Sequence, residues 1–237
     1  MYAFAQRSDT RVIDEPLYAH YLYTKYGSGT AKSTHPVTAE VIASMSTDAT
    51  TVVREVILGS CDKPVLFMKQ MAHHLIEMDL DFLEHTVNIF LIRDPKEMLP
   101  SLAKVIGTPT LADTGLKIQH DLLNALRAAG QSPPILDARL LLSDPRSVLC
   151  QLCKRLGLQF DASMLSWEAG GNAADGVWAP YWYGNVHRST GFAPYRPKSE
   201  PFPTELVDVL KACSPHYEAL QRDAISPTDP PVPPVIS

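Results

Sequence analysis

The sequence predicts an α/β fold in which a parallel sheet is covered by helices on both faces. Three observations carry this. Short apolar runs alternate with longer segments of helical spacing across most of the first 160 residues. The runs end abruptly in charged or polar residues, as strands do when they reach the edge of a sheet. Proline and glycine fall where helices begin and end.

In order along the chain, residues 1–8 read as the end of a helix and Arg11-Val12-Ile13-Asp14 as a short strand. Residues 41–58 carry apolar side chains at helical spacing, from Val41, Ile42 and Met45 to Val52, Val53, Val56 and Ile57, and stop at Gly59. Residues 64–68 are the next strand. Residues 87–92 follow as a buried strand, with Pro95 in the first turn of the helix after it. Residues 116–129 form an amphipathic helix closed by Gly130, and residues 134–137 another strand. Ser143 or Asp144 caps a helix that has Pro145 in its first turn and Gly157 just past its end. After Phe160 comes a loop over residues 170–176, an aromatic segment from Trp178 to His187, and a last helix over residues 203–222. Residues 1–222 are expected to form one domain, and residues 223–237, rich in proline, a disordered tail.

The bulk properties narrow the function classes. The chain has 237 residues, 45% of them hydrophobic, enough for one well-buried core. A net charge of −5 argues against a broad nucleic-acid surface, so an anionic ligand would need a local basic pocket. No run approaches the roughly 18 apolar residues of a membrane span. The first residues lack the basic-then-apolar plan of a signal peptide. Cys61, Cys150, Cys153 and Cys213 are expected as free thiols, which fits a cytoplasmic protein. Cys150 and Cys153 make a single C-x-x-C with no second pair and no nearby histidine, so no metal site is expected; they read as small core residues on one helix face.

The most informative stretch is Ile92-Arg93-Asp94-Pro95 with Ser101 eight residues after the arginine. A strand that delivers Arg93 to the carboxyl edge of a sheet, followed by a helix carrying Ser101, brings a guanidinium and a hydroxyl together where open α/β sheets bind ligands. Such a pair suits a phosphate. The plainer alternative is that Arg93 pairs with Asp94 or caps a helix.

Taken together, these segments resemble the P-loop sulfotransferases. The closest branch is the sulfotransferase-like one found in proteins with branched-chain-aminotransferase names. The resemblance is carried by Phe4-Ala5-Gln6-Arg7 through Asp14-Glu15-Pro16-Leu17-Tyr18-Ala19-His20-Tyr21-Leu22, by Phe67-Met68-Lys69-Gln70-Met71-Ala72-His73-His74, and by Leu91-Ile92-Arg93-Asp94-Pro95 to Ser101. Residues 136–167 are similar to the later half of many sulfotransferases, and the likeness covers roughly residues 1–196.

The resemblance implies a three-layer sheet of P-loop type. It also implies transfer of a sulfuryl group from the co-substrate 3′-phosphoadenosine 5′-phosphosulfate (PAPS) to a hydroxyl or amine of a small molecule. Arg93 and Ser101 match the positions that hold the donor's 3′-phosphate. Arg188 and Gly191 resemble the late loop that closes over the same nucleotide, although the usual Arg-Lys-Gly pattern is absent. Glu15 resembles the catalytic glutamate of carbohydrate-type sulfotransferases; otherwise it pairs with an arginine or caps a turn. Lys69 stands where other members carry Lys-Thr-His. Met71 takes the histidine's place, so His73 or His74 would have to reach the site from the next turn.

One departure matters. The family's first strand and its phosphate loop would precede a helix like residues 1–6, and they are not found in this sequence. The stretch Tyr26-Gly27-Ser28-Gly29-Thr30-Ala31-Lys32-Ser33-Thr34 is not a substitute: no buried strand precedes it, Ala31 replaces the required glycine, and it reads as a surface loop. A start assigned to an internal methionine is the expectation, with a truncated paralogue as the rival. Two alternative functions follow: an inactive nucleotide-binding or regulatory paralogue, and a P-loop phosphotransferase or hydrolase, which lacks support from any Walker lysine.

Overall fold

A computed structural model describes residues 1–27 and 37–227. Most of the glycine-rich stretch set aside above, and the proline-rich tail beyond Pro227, lie outside the described residues. The elements in chain order are α1 (Tyr2–Ala5), β1 (Thr10–Asp14), α2 (Tyr18–Tyr26), α3 (Thr38–Ser44), α4 (Ala49–Val52), β2 (Val65–Lys69), β3 (Phe90–Ile92), α5 (Pro95–Ile106), α6 (Leu111–Thr114), α7 (Leu116–Ala128), β4 (Ile135–Asp137), α8 (Ala138–Ser143), α9 (Pro145–Arg155), α10 (Ala179–Trp182), α11 (Gly184–His187) and α12 (Val207–Gln221). They divide into two compact units: residues 1–85 with 161–192, and residues 86–160 with those from Ala193 on. The described strands form two parallel pairs, β1–β2 in the first unit and β3–β4 in the second. Both pairs are parallel because helices occupy the connection between their strands.

In the first unit, β1 and β2 run in register from Thr10 opposite Val65 to Asp14 opposite Lys69. Phe4 of α1 stacks on Phe67 of β2, with centroids 4.1 Å apart. Leu17, Ala49, Val52, Ile57 and Phe82 form one apolar cluster. Tyr18, Ala19, Leu22, Val41 and Trp178 form another. The helix expected over residues 41–58 is two helices. Met45 is extended, and the Asp48 side chain accepts from Thr51 N–H to start α4. A π turn over Val53–Ile57 continues α4. It ends at Ile57, two residues before Gly59, where a Cβ would lie 2.0 Å from the Glu55 carbonyl oxygen.

In the second unit, β3 pairs with β4 from Phe90 opposite Ile135 to Ile92 opposite Asp137. The strand is shorter than expected and buried on one face. Phe90 and Ile92 are buried, whereas Leu91 is 59% exposed, because successive side chains point to opposite faces. Asp94 caps α5 through Lys96 N–H, with Pro95 at the first helical position. Asp144 caps α9 in the same way through Ser147 N–H, again followed by proline. Buried Leu99, Leu116, Leu123, Leu152 and Leu220 supply the unit's core. Its packing takes in part of the stretch expected as tail: Ile225 is fully buried and donates its N–H to the Ile135 carbonyl (2.8 Å).

Candidate functional site

The register of β1 and β2 brings Asp14, Glu15 and Lys69 to one carboxyl edge of the first unit's sheet. The Glu15 N–H donates to the Lys69 carbonyl (2.7 Å), and Glu15 then turns with φ +43°, a left-handed conformation that glutamate seldom adopts. Asp14 and Glu15 are both buried. The Lys69 ammonium pairs with Glu15 and lies 3.5 Å from Asp14 Oδ1. Lys69 also donates to the Tyr183 hydroxyl (2.7 Å), and that hydroxyl donates to Asp14 (2.9 and 2.8 Å to its two oxygens). Gly176 N–H gives Asp14 a further donor at 3.3 Å.

Three of the four residues expected to do chemistry therefore converge. The fourth, His73, meets the cluster edge-on through the rings of Tyr21 (5.3 Å) and His74 (4.7 Å). His74 is buried, with Nδ1 3.6 Å from Glu15 Oε2, and its ring lies against those of Tyr18 and Tyr21, each centroid 4.6 Å away. His20 has a packing role: its ring nitrogens face the carbonyls of Thr47 (3.2 Å) and Ile76 (2.8 Å).

Burial pushes the Glu15 carboxyl above the usual glutamate range. The Lys69 ammonium and its hydrogen bond pull it back in part, the Asp14 charge adds to the rise, and a contact from Tyr183 opposes it. The group is thus a carboxylate whose proton affinity is tuned upward while a cation is held against it.

The second unit carries a different site. Arg93 and Glu97 line an open depression of about 520 Å³ together with Arg139, Tyr195 and Arg196. Arg93 is exposed at the end of β3. The Ser101 hydroxyl accepts from Lys198 Nζ (2.8 Å), which also donates to the Glu97 carbonyl (2.9 Å). Tyr195 donates to the Glu97 carboxylate (3.2 Å), so the segment from Tyr195 to Lys198 is tied to α5. Three arginines, Arg93, Arg139 and Arg196, line the depression and could hold a phosphate; Ser101 and Lys198 are not among its lining residues.

Arg188 and Gly191 belong to the first unit. Arg188 is exposed and donates to Asn185 Oδ1 (2.6 Å). Gly191 pairs with Ser166 in an antiparallel bridge, and a Cβ there would lie 2.9 Å from the Leu165 carbonyl oxygen. Sequence reasoning missed Asp14 and Tyr183 in one site and Arg139, Arg196 and Lys198 in the other. Two had a signal. Asp14 is the last residue of a strand expected from sequence, and Arg139 lies two residues past the end of β4, near where Arg93 stands after β3. Tyr183 and Arg196 reach their sites across long separations in sequence.

A sulfotransferase-domain family model matches residues 1–224. The chain belongs to the sulfotransferase-domain family. This sulfotransferase-domain protein is 37% identical over 225 residues to branched-chain-amino-acid aminotransferase-like proteins 1 and 2 of Arabidopsis thaliana. The match takes in 93% of this chain but 39% and 38% of those proteins, so the chain spans about two-fifths of the length of these relatives. No solved structure matches it. Among the described residues, no group of three or more His, Cys, Asp or Glu side chains is arranged to hold a metal ion. None of their helices is long and apolar enough to cross a membrane. Cys61, Cys150, Cys153 and Cys213 are free thiols.

Proposed function

We propose that this protein transfers a sulfuryl group from PAPS to a hydroxyl or amine of a small-molecule acceptor. The observation that carries the reading is the convergence of Glu15, Lys69 and His74 at the edge of the β1–β2 pair. When bound, the donor would supply an activated sulfuryl group on an anhydride to its 5′-phosphate. Glu15 takes the acceptor's proton as the acceptor oxygen or nitrogen bonds to sulfur. The anhydride S–O bond breaks, and its electron pair leaves with 3′-phosphoadenosine 5′-phosphate through a loose, in-line transition state like that of phosphoryl transfer. Lys69 holds Glu15 in its ionised form before the proton moves, and His74 packs Glu15 from its other oxygen.

Arg93 and Ser101 would take the 3′-phosphate, with Arg139 and Arg196 adding charge in the depression beside Arg93 and Lys198 hydrogen-bonded to Ser101. Arg188 and Gly191 would act on the nucleotide by family resemblance alone. No residue of this chain is assigned to the P-loop that receives the 5′-phosphosulfate in the three-layer sheet of the family. Four free thiols support a cytoplasmic setting.

The test is a transfer assay with ³⁵S-labelled PAPS against a panel of phenols, sugars, alcohols and amines, using the full chain and its Glu15→Gln variant. Labelled product with the native protein and far less with the variant is the expected result. Nucleotide binding without product on any acceptor would favour a non-catalytic nucleotide-binding protein.

A further inference from the structure

We propose that Tyr183 is a positioning residue for Glu15: its phenol bridges Lys69 to Asp14 and so keeps the lysine ammonium on Glu15. The proposal deepens the reading of Glu15 as the proton acceptor and takes its functional meaning from it.

The hydrogen-bond geometry makes the phenol a link rather than a bystander. Its oxygen accepts from Lys69 Nζ at 2.7 Å, and its hydrogen goes to Asp14, whose oxygens lie 2.9 and 2.8 Å away. Lys69 Nζ is 3.5 Å from Asp14 Oδ1, beyond a good hydrogen bond, so Asp14 engages the ammonium chiefly through the phenol. The Tyr183 ring also lies beside the ammonium, with its centroid 5.1 Å from Nζ. Trp178 Nε1–H points to the phenol oxygen at 3.4 Å, and Trp178 is buried. Burial, together with the Glu15 and Asp14 charges, keeps the phenol protonated and hence a donor.

Two carboxylates on consecutive residues compete for one ammonium. With the phenol in place, Asp14 is satisfied by Tyr183 and by Gly176 N–H, and Lys69 is left to Glu15. Without it, Asp14 becomes the nearest unsatisfied acceptor and draws the ammonium away. The other titratable groups around the cluster are the buried Met1 amino group, which faces Lys69 and Asp14, His74 in the turn after β2 and Tyr18 on α2, and none replaces a cation paired directly with the Glu15 carboxylate.

The experiment is a carboxyl ¹³C NMR titration of the full chain labelled at glutamate Cδ, with the Glu15 signal assigned from Glu15→Gln. Tyr183 also touches Glu15 directly, so Tyr183→Phe is made in the native chain and in Lys69→Met, and the midpoint should rise by about half a unit more where Lys69 is present. An equal rise with and without Lys69, or no rise, in folded variants overturns the proposal. Should Tyr183→Phe not fold, ¹⁵N-lysine spectra of the native protein decide. A slowly exchanging Lys69 ammonium signal with through-space contact to the Tyr183 ring supports the link, and its absence overturns it. Neither readout depends on sulfuryl transfer, so a chain inactive toward every acceptor would refute the proposed function without touching this result.

Discussion

Asp14 and Glu15 are 4% and 5% exposed, and a lysine, a tyrosine and a backbone N–H are organised around them. Arg93, at the corresponding end of β3 in the second unit, stands open to solvent in a depression dominated by like charge. Both are strand-end sites in parallel pairs, yet they handle charge in opposite ways. The buried site sets the proton affinity of one carboxylate by pairing and hydrogen bonding, so its behaviour should follow pH. The open site holds Arg93, Arg139 and Arg196 exposed beside Glu97, so the binding of an anion there should follow salt.

The largest expected effect tests the buried side of that contrast. Glu15→Gln should lower transfer by about 10²- to 10⁴-fold, the usual worth of a positioned base, while nucleotide affinity changes little. In the native protein the rate should fall as pH drops through the Glu15 midpoint. Because that carboxyl is raised, the acid limb should lie above the ordinary glutamate value of 4.5. An acid limb at or below that value, measured on kcat/KM across pH, would remove Glu15 from the base role.

Next comes the open side. Arg93→Ala should weaken 3′-phosphoadenosine 5′-phosphate by about 10- to 100-fold in calorimetric titration, the worth of a charge-assisted donor. The loss should shrink as salt rises, and Tm should barely move, since an exposed arginine contributes little to folding. A variant that unfolds instead would make Arg93 a structural residue.

Lys69→Met separates the two sites through stability. It leaves Asp14 and Glu15 as adjacent buried carboxylates without their cation. A buried pair broken on one side costs about 3–5 kcal/mol, and Lys69 is 28% exposed, so about 2 kcal/mol is expected at pH 8. Glu15 has a raised folded-state pKa, so the folded variant binds the proton more tightly than the unfolded chain. Its stability should therefore recover as pH falls through that midpoint. Urea unfolding at pH 8 and pH 5 checks the sign; Arg93→Ala should show no such recovery.

The edges of the strands were legible because a charged residue directly after an apolar run has a physical meaning. Asp14-Glu15, Lys69 and Arg93 each stand at such an edge, and the parallel register brings the first three together. The cap at Asp144 and the helix start at Pro95 were legible for a similar local reason, the proline marking each first turn. The partners were not. Tyr183 lies 114 residues from Lys69, and Lys198 lies 97 residues from Ser101, and nothing in either local pattern announces the pairing. The break at Met45 was hidden because apolar spacing persists across it, so periodicity alone read one helix where Asp48 starts a second. Leu91 was read as buried because an apolar run does not reveal whether a strand is covered on one face or two.

The smallest expected effect concerns the backbone at Glu15. Its φ of +43° places an L-residue with a long side chain in left-handed space, at a cost of about 1 kcal/mol, and asparagine tolerates that region better than glutamate or glutamine. Comparing Glu15→Asn with Glu15→Gln isolates this cost, because both variants remove the same charge and both leave Lys69 to Asp14 and Tyr183. Glu15→Asn should be the more stable of the two by up to about 1 kcal/mol in urea unfolding at one pH, while both lose most transfer activity. Equal stabilities would mean that the turn is relaxed, and the site would then owe its geometry to its hydrogen bonds alone. A measurable gain would mean that the chain keeps a glutamate there against backbone preference, the pattern expected where a carboxylate must project from a strand end toward a lysine and a reacting proton.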